Sequence, residues 1–317
     1  MTVLATKPET TITISDQARS YAANSRAEAT KKAYRADMAA WNAFCHQAGI
    51  SPQLPATVAS VAEYVASMGG QVAVATIRRR LVTLSQAHKA AGLENPVASE
   101  IVRSVLKGLI REYGTAQRKA APIRAANIRA FVAQNSGADL ATLRDRALLL
   151  LGFFGAFRRS ELVALNVSDV DFTTEGATVT LRRSKTDQEG KGRTIGICHQ
   201  ARPDACPVRA LRAWIQAAGI QEGPIFRKVA KSGKVAEDAL TGAGVAYILK
   251  AHAVALGLDE SAISGHSLRR GFVTEAYAAD VPTPEIQAVT GHRSLQVLSG
   301  YYAEANIFRN ATARVQL

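Results

Sequence analysis

The stretch LATLRDRALLLLGFFGAF, residues 140–157, constrains the fold of this chain more than any other. Beyond its first turns it is apolar nearly all round, and a helix without a polar face has to be enclosed by other elements. It predicts a central helix, and the neighbouring segments supply the wrapping. ANIRAFVAQNS before it is helical, as are CPVRALRAWIQAAG, with Pro207 suited to a first turn, and LTGAGVAYILKAHAVALG after it. Between them ATVTLRRSKTD alternates β-branched and polar residues, and GRTIGIC repeats this after a turn around Glu189–Gly192, which predicts a small antiparallel hairpin or sheet. GPIFRKVAKSGKV reads as a loop or short hairpin. Strands do not alternate with helices along the chain, so a parallel βαβ sheet is not expected. The Gly242–Ala243–Gly244 step sits in a helical pattern with no strand before it and is discounted as a nucleotide loop.

The N-terminal part has its own apolar stripes. In ATKKAYRADMAAWNAFCHQAG the residues Tyr34, Met38, Trp41 and Phe44–Cys45 recur at helical spacing, and Gly49 is placed to end the helix. TVASVAEYVASMG, VAVATIRRRLVTLSQAHKAAG with Ile77, Leu81 and Leu84 inward, and ASEIVRSVLKGLIREYG give three more helices. Residues 1–18 read as a flexible tail, 19–114 as a helical domain, the basic, Pro-broken 115–124 as a linker, and 125–317 as a second, mostly helical domain with a small sheet. The fold class expected is mainly α.

Charge narrows the partner. The chain of 317 residues has a formal net charge of +13, and both parts share it. Residues 1–121 hold 15 Lys and Arg against 8 Asp and Glu, and residues 122–317 hold 24 against 18. Two basic parts suit a polyanion, most often nucleic acid. Lys31, Lys32 and Arg35 at one helix start and the triplet Arg78–Arg79–Arg80 on another are the expected DNA-binding cations. No apolar run is long enough to cross a bilayer, the first residues lack a secretion signal's apolar core, and three cysteines do not make a disulfide framework. A cytoplasmic setting is expected, with no membrane partner.

The chemistry gathers in two stretches. GAFRRSELVAL places Arg158 just after the central helix and Glu161 three residues on, where it can pair with a cation. SGHSLRRGFVTEAYAADVPTPEIQAVTGHRSLQVLSGYY sets His266 and Arg269 at a helix start, His292 after a helix-ending Gly291, and Tyr301 nine residues beyond. Arginine suits a phosphodiester because its planar fork bonds two oxygens and stays charged. A helix N-terminus adds to that attraction. Tyrosine supplies a nucleophile. Adjacent helical residues point about 100° apart, so Tyr301 and Tyr302 cannot both face one phosphate. Metal spacing is poor: Cys198–His199 with Cys206 is the sole group of three Cys and His close in sequence, and it reads as a loop and helix start.

R-x-x-E, H-x-x-R, G-H/W and a tyrosine nine residues later, in that order, resemble the tyrosine recombinases, or phage integrase family, over roughly residues 20–317. The resemblance implies a helical N-terminal core-binding (SAM-like) domain and a mostly helical catalytic domain closing as a C-shaped DNA clamp. It implies that Tyr301 attacks the scissile phosphate to give a 3′-phosphotyrosyl link and a free 5′-hydroxyl. Arg158 and Arg269 would clamp the non-bridging oxygens, His292 would donate to them, His266 would assist proton transfer, and Glu161 would support the site. The general acid would be a lysine of the β-hairpin: the family's register favours Lys185, with Lys191 at the glycine turn as its rival. No cofactor, metal or small-molecule substrate is implied. The partners would be a double-stranded DNA recombination site and three further copies of the chain, a tetramer on two sites working through a Holliday junction. Competing readings are a DNA-binding protein of this fold without catalysis, and a type IB topoisomerase or telomere resolvase.

Overall fold

In the computed structural model the described residues are 14–115, 120–182, 192–292, 294–305 and 307. The chain divides into two compact units, Met1–Gln117 and Arg118–Leu317.

Among the described residues the first unit holds helices and no strand: α1 (Asp16–Asn24), α2 (Glu28–Ala48), α3 (Val58–Ser67), α4 (Val74–Ala90) and α5 (Glu100–Tyr113). Gly49 ends α2 in the left-handed conformation, φ 67°, where a glycine costs least. Trp41 and Cys45 on α2, Val61 and Val65 on α3, and Ile77, Leu81 and Leu84 on α4 form one core. Helix α1 starts at Asp16 with Ser15 accepting from the Ala18 amide, so residues 16–18 are helix rather than tail. Residues 1–13 lie outside the described residues.

The second unit is α6 (Ala125–Gln134), α7 (Leu140–Phe154), α8 (Arg159–Ala164), β1 (Val170–Phe172), β2 (Gly176–Leu181), β3 (Arg193–Cys198), α9 (Pro207–Ala217), β4 (Arg227–Val229), β5 (Val235–Ala239), α10 (Gly242–Ala255), α11 (Ser267–Ala278), α12 (Thr283–Thr290) and α13 (Leu295–Ala305). Helix α7 is the enclosed helix its composition demands: Leu148, Leu150 and Leu151 are wholly buried, with α9 and α11 packed against it. Strands β1, β2 and β3 form an antiparallel sheet in that order, with Leu181 opposite Arg193 at the end of the hairpin where the connection between β2 and β3 begins. Ala177, Val179, Leu181, Ile195 and Ile197 face the core and alternate with more exposed neighbours. The sheet has one more strand than the hairpin predicts. Strands β4 and β5 make a separate antiparallel pair. A strand therefore does precede Gly242. It belongs to a hairpin, however, and Gly242 is already the first residue of α10, so no phosphate loop is formed there.

The stretch read as a linker also differs. Ala121 donates to the Ala262 carbonyl and Ile123 to that of Ser267, and Ile123 is buried in the main core of this unit. Residues 121–124 are thus docked backbone. Their docking depends on Gly271, because a Cβ there would lie 1.8 Å from the Ile123 carbonyl oxygen.

Candidate functional site

The site is built where α7, α8, α11, α12, α13 and β3 meet. After α7 the chain turns at Ala156, a non-glycine residue with φ 47°. That conformation is unusual for alanine. It accompanies a carbonyl that accepts from Arg269 Nη1 at 2.8 Å. Arg158 follows as the cap of α8, its backbone N–H bonded to Glu161 Oε2 at 2.8 Å and its Nη1 to Oε1 at 2.6 Å. Glu161 is only 2% exposed, so this is a buried ion pair spanning one helical turn.

Arg269 lies one turn into α11 and is 3% exposed. Besides Ala156 it bonds the Thr290 carbonyl through Nη2 at 2.6 Å, which ties the end of α12 to the end of α7. Burial, and then the charge of Arg158, bring its pKa down to about 10, so it remains a cation at neutral pH.

His292 follows Gly291, the left-handed C-cap of α12. Its Nδ1 is 2.8 Å from Thr290 Oγ1, and that hydroxyl already donates to the Ile286 carbonyl at 2.7 Å. Its Nε2 is 3.1 Å from Arg269 Nη2, which can only donate. The pattern assigns a neutral imidazole protonated on Nδ1, with Nε2 as an acceptor. Burial first, then Arg269, Arg158 and Arg193, push the His292 pKa down to about 4. Hydrogen bonding and electrostatics thus agree on a neutral ring. Donation from Nε2 to a phosphate, expected for this residue, requires the other tautomer.

Tyr301, half-buried on α13, has its ring centroid 6.1 Å from that of His292. Tyr302 points elsewhere, 55% exposed and edge-on to Tyr277. His266, the exposed cap of α11, joins Tyr301, Arg270, Ser261 and Ser264 around a cavity of about 360 Å³. Arg158, Glu161, Arg269 and His292 therefore form one cluster, with Tyr301 at its edge and His266 across the adjoining cavity. Lys185 and Lys191 lie outside the described residues, as does Arg293.

Two arginines belong to this region that sequence spacing did not single out for it. Arg270, read as a bystander of the motif, is 7% exposed with its guanidinium carbon 5.2 Å from the Tyr301 ring centroid. Arg193, the first residue of β3, lies 3.6 Å from Glu161 Oε2 and donates to the Val289 carbonyl. Alternation along GRTIGIC places Arg193 on the face of Ile195 and Ile197, a signal that was present in the sequence.

In the first unit the expected DNA-binding cations divide. Lys32 and Arg78 are exposed. Lys31 and Arg35 both pair with Glu28, at 3.6 and 2.8 Å. Arg79 reaches back across to α2 and meets the buried Asp37 at 3.0 Å, with Thr83 bonded to the same carboxylate. Arg80 is half-buried, its Nη1 3.2 Å from the sulfur of Met68. It stands three residues after Ile77 and four before Leu84, on the edge of the apolar stripe.

A sequence model of the phage integrase family matches residues 122–307. The chain is 36% identical over 289 residues to the integrase/recombinase XerD homolog of Selenomonas ruminantium, covering 90% of this chain and 84% of that protein. It is 25% identical over 299 residues to recombinase cre of Escherichia phage P1, covering 87% and 84%. Its fold is similar to that of the XerH site-specific recombinase bound to a palindromic difH substrate in a post-cleavage complex. The TM-score is 0.63 at 17% identity, over 84% of this chain and 75% of that one. The chain belongs to the phage integrase family, the tyrosine recombinases.

Proposed function

We propose that the chain is a site-specific DNA recombinase that cleaves and rejoins duplex DNA through Tyr301. One observation carries the assignment of the site. Arg158, Arg193 and Arg269 gather around a single carboxylate, Glu161, while His292 beside them is neutral. Among the described residues these three positive charges against one negative leave two in excess, in a partly buried place bordered by a tyrosine. A phosphodiester is the anion such a place accepts.

In this reading Arg158 and Arg269 hold the non-bridging oxygens. His292 adds a bond from Nε2 once the phosphate takes over the Arg269 donor and the ring changes tautomer. The Tyr301 hydroxyl oxygen attacks phosphorus as its proton leaves with help from His266. The P–O5′ bond breaks, and Lys185 or Lys191 protonates the departing 5′ oxygen. A 5′-hydroxyl from the partner strand later reverses the step, so every phosphodiester broken is remade without an energy cofactor. The reaction proceeds on two DNA sites held by four copies of the chain, by two successive strand exchanges and a Holliday junction, in the cytoplasm. Residues 19–114 serve as the core DNA-binding domain and 125–317 as the catalytic domain. The homology to XerD-type and cre recombinases supports this outcome over relaxation or hairpin formation.

The test uses a pool of randomised duplexes carrying a nick, so that a cleaved short end is lost and the adduct is trapped. The wild type and Tyr302→Phe should accumulate a covalent protein–DNA species, and Tyr301→Phe should not. An adduct that survives Tyr301→Phe sinks the nucleophile assignment. No adduct from any duplex favours a DNA-binding protein without catalysis.

A further inference from the structure

We propose that Arg193 is a positioning residue of the phosphate site, fastening the His292 turn of α12 and the Arg158–Glu161 pair of α8 to the root of the β2–β3 hairpin. The proposal rests on the reading of the site given above. Arg193 pairs in the sheet with Leu181, and its guanidinium reaches two different elements, the Val289 carbonyl at the end of α12 and Glu161 on α8. The space it occupies is left by Gly291, whose added Cβ would come within 2.9 Å of Nη1 and 3.0 Å of Cζ. A side chain at 291 would therefore displace the guanidinium as well as strain the φ of 64°. Its Nε and Nη2 have no hydrogen-bond partner among the described residues, although Nη2 has the ionic contact with Glu161. A guanidinium that spans two elements in this way fixes the distance between them.

The consequence reaches the chemistry through neighbours. Strand β3 leaves the hairpin that carries Lys185 and Lys191, and Arg193 is its first residue. Arg193 thus sets where the hairpin's root stands relative to His292, and its charge helps keep that ring neutral. Among the described residues, the charged groups that act on His292 are Arg269 from α11, Arg158 from the start of α8 and Arg193 from β3. Thr290 and Gln287 of α12 and Tyr301 of α13 also stand beside it. A side chain that merely filled space would leave the titration of His292 unmoved.

The test compares Arg193→Gln and Arg193→Lys with the wild-type full chain. The first readout needs no DNA: NMR titration of labelled histidines, with the His292 signal identified by His292→Gln. The second is the single-turnover cleavage rate on a nicked duplex taken from the trapping selection. Arg193→Gln should raise the His292 midpoint and slow cleavage at least about tenfold, with DNA affinity within about threefold. Arg193→Lys keeps the charge but can reach one partner at a time. It should keep the His292 midpoint and cleave at an intermediate rate. The proposal is overturned if Arg193→Gln cleaves within twofold of wild type or leaves the His292 midpoint in place. Should Arg193→Gln fail to fold, Arg193→Lys decides, and a wild-type rate from it overturns the two-point attachment. If no duplex is cleaved by the wild type, the catalytic reading fails while the NMR result still decides for or against Arg193.

Discussion

Replacing Glu161 by glutamine removes one charge from the site while almost preserving its shape. The carboxylate is 1% exposed at its side chain and Arg158 is 11% exposed, so the pair counts as buried. Its two oxygens take a backbone N–H and a guanidinium N–H, at 2.8 and 2.6 Å. Glutamine keeps one acceptor of the two and no charge. Breaking a buried pair by removing one partner costs about 3–5 kcal/mol, because the other charge stays behind in low dielectric. Here Arg158, Arg193 and Arg269 would all stay, and Glu161 is the group that raises the pKa of both Arg193 and Arg269 against burial. The expected loss is therefore about 3 kcal/mol, or about 6–12 °C in the melting of a unit of this size. The chain contains two tryptophans, Trp41 in the first unit and Trp214 in the second, both buried. Fluorescence-monitored urea unfolding in a Trp41→Phe background then reports on the second unit. Inorganic phosphate should stabilise the variant more than the wild type, because an anion that binds the native state adds RT ln(1 + [L]/Kd), and one more excess positive charge lowers Kd. A loss below about 1 kcal/mol, or equal phosphate stabilisation of both proteins, would refute the argument that Glu161 holds an otherwise unbalanced cluster together.

Three further outcomes follow from the same structure. His292 titrates at about 4 in the fold against 6.5 ordinarily, so the unfolded chain takes up the proton first. Its contribution is complete above pH 6.5 and is lost as pH falls from 6.5 towards 4. After discounting for the ring's partial exposure, urea unfolding at pH 5 should show about 1 kcal/mol less stability from this group than at pH 7, and His292→Gln should abolish that increment. Gly271→Ala would put a methyl 1.8 Å from the Ile123 carbonyl oxygen, a backbone atom that cannot rotate away. It should cost about 2–3 kcal/mol and expose residues 120–124 to protease, and a melting temperature unchanged within about 2 °C would contradict this. In the first unit, Arg78→Ala should reduce the salt dependence of DNA binding by about one unit of slope. Arg80→Ala should leave that slope alone and lower stability instead, by about 1 kcal/mol, because Arg80 packs inward on Met68. The reverse pattern would show that Arg80 is the cation that meets phosphate.

What the sequence made legible was local. Arg158 and Glu161 are separated by one turn at the start of α8, so helical spacing alone placed that pair together, whereas His266, one turn before the buried Arg269, is exposed beside the adjoining cavity. Tyr301 and Tyr302 were separable because neighbouring helical side chains diverge, and one indeed faces His292 while the other meets Tyr277. Arg270 escaped the same logic because α11 is packed on several sides: residues from Ser267 to Gly271 are all buried, so the residue next to a buried arginine is not thereby exposed. Within the stretch read as a linker, residues 121–124 depart from that reading for a related reason. Pro122 and the surrounding charges describe a segment without its own secondary structure, but the backbone bonds of Ala121 and Ile123 go to residues far along the chain.

Arg193 shows the general limit most clearly. Lys185 and Lys191 stand close to it in sequence, but no motif singles out Arg193 itself. It arrives there because β2 and β3 pair with Leu181 opposite Arg193, and because Gly291 leaves the space that its guanidinium fills. Those are facts of register and of close approach between distant segments, and neither has a period that a single sequence can display. The same reasoning explains why the cluster needs all its elements at once. Arg269 is held by carbonyls from the ends of α7 and α12, Arg158 by a carboxylate on α8, and His292 by a hydroxyl on α12. Arg269 in particular is oriented by carbonyls at helix ends, where C=O groups lack helical partners and are available to bind side chains. The mainly helical architecture thereby turns unsatisfied helix ends into the fixings for a phosphate site, and the sheet adds the one arginine that the helices do not carry.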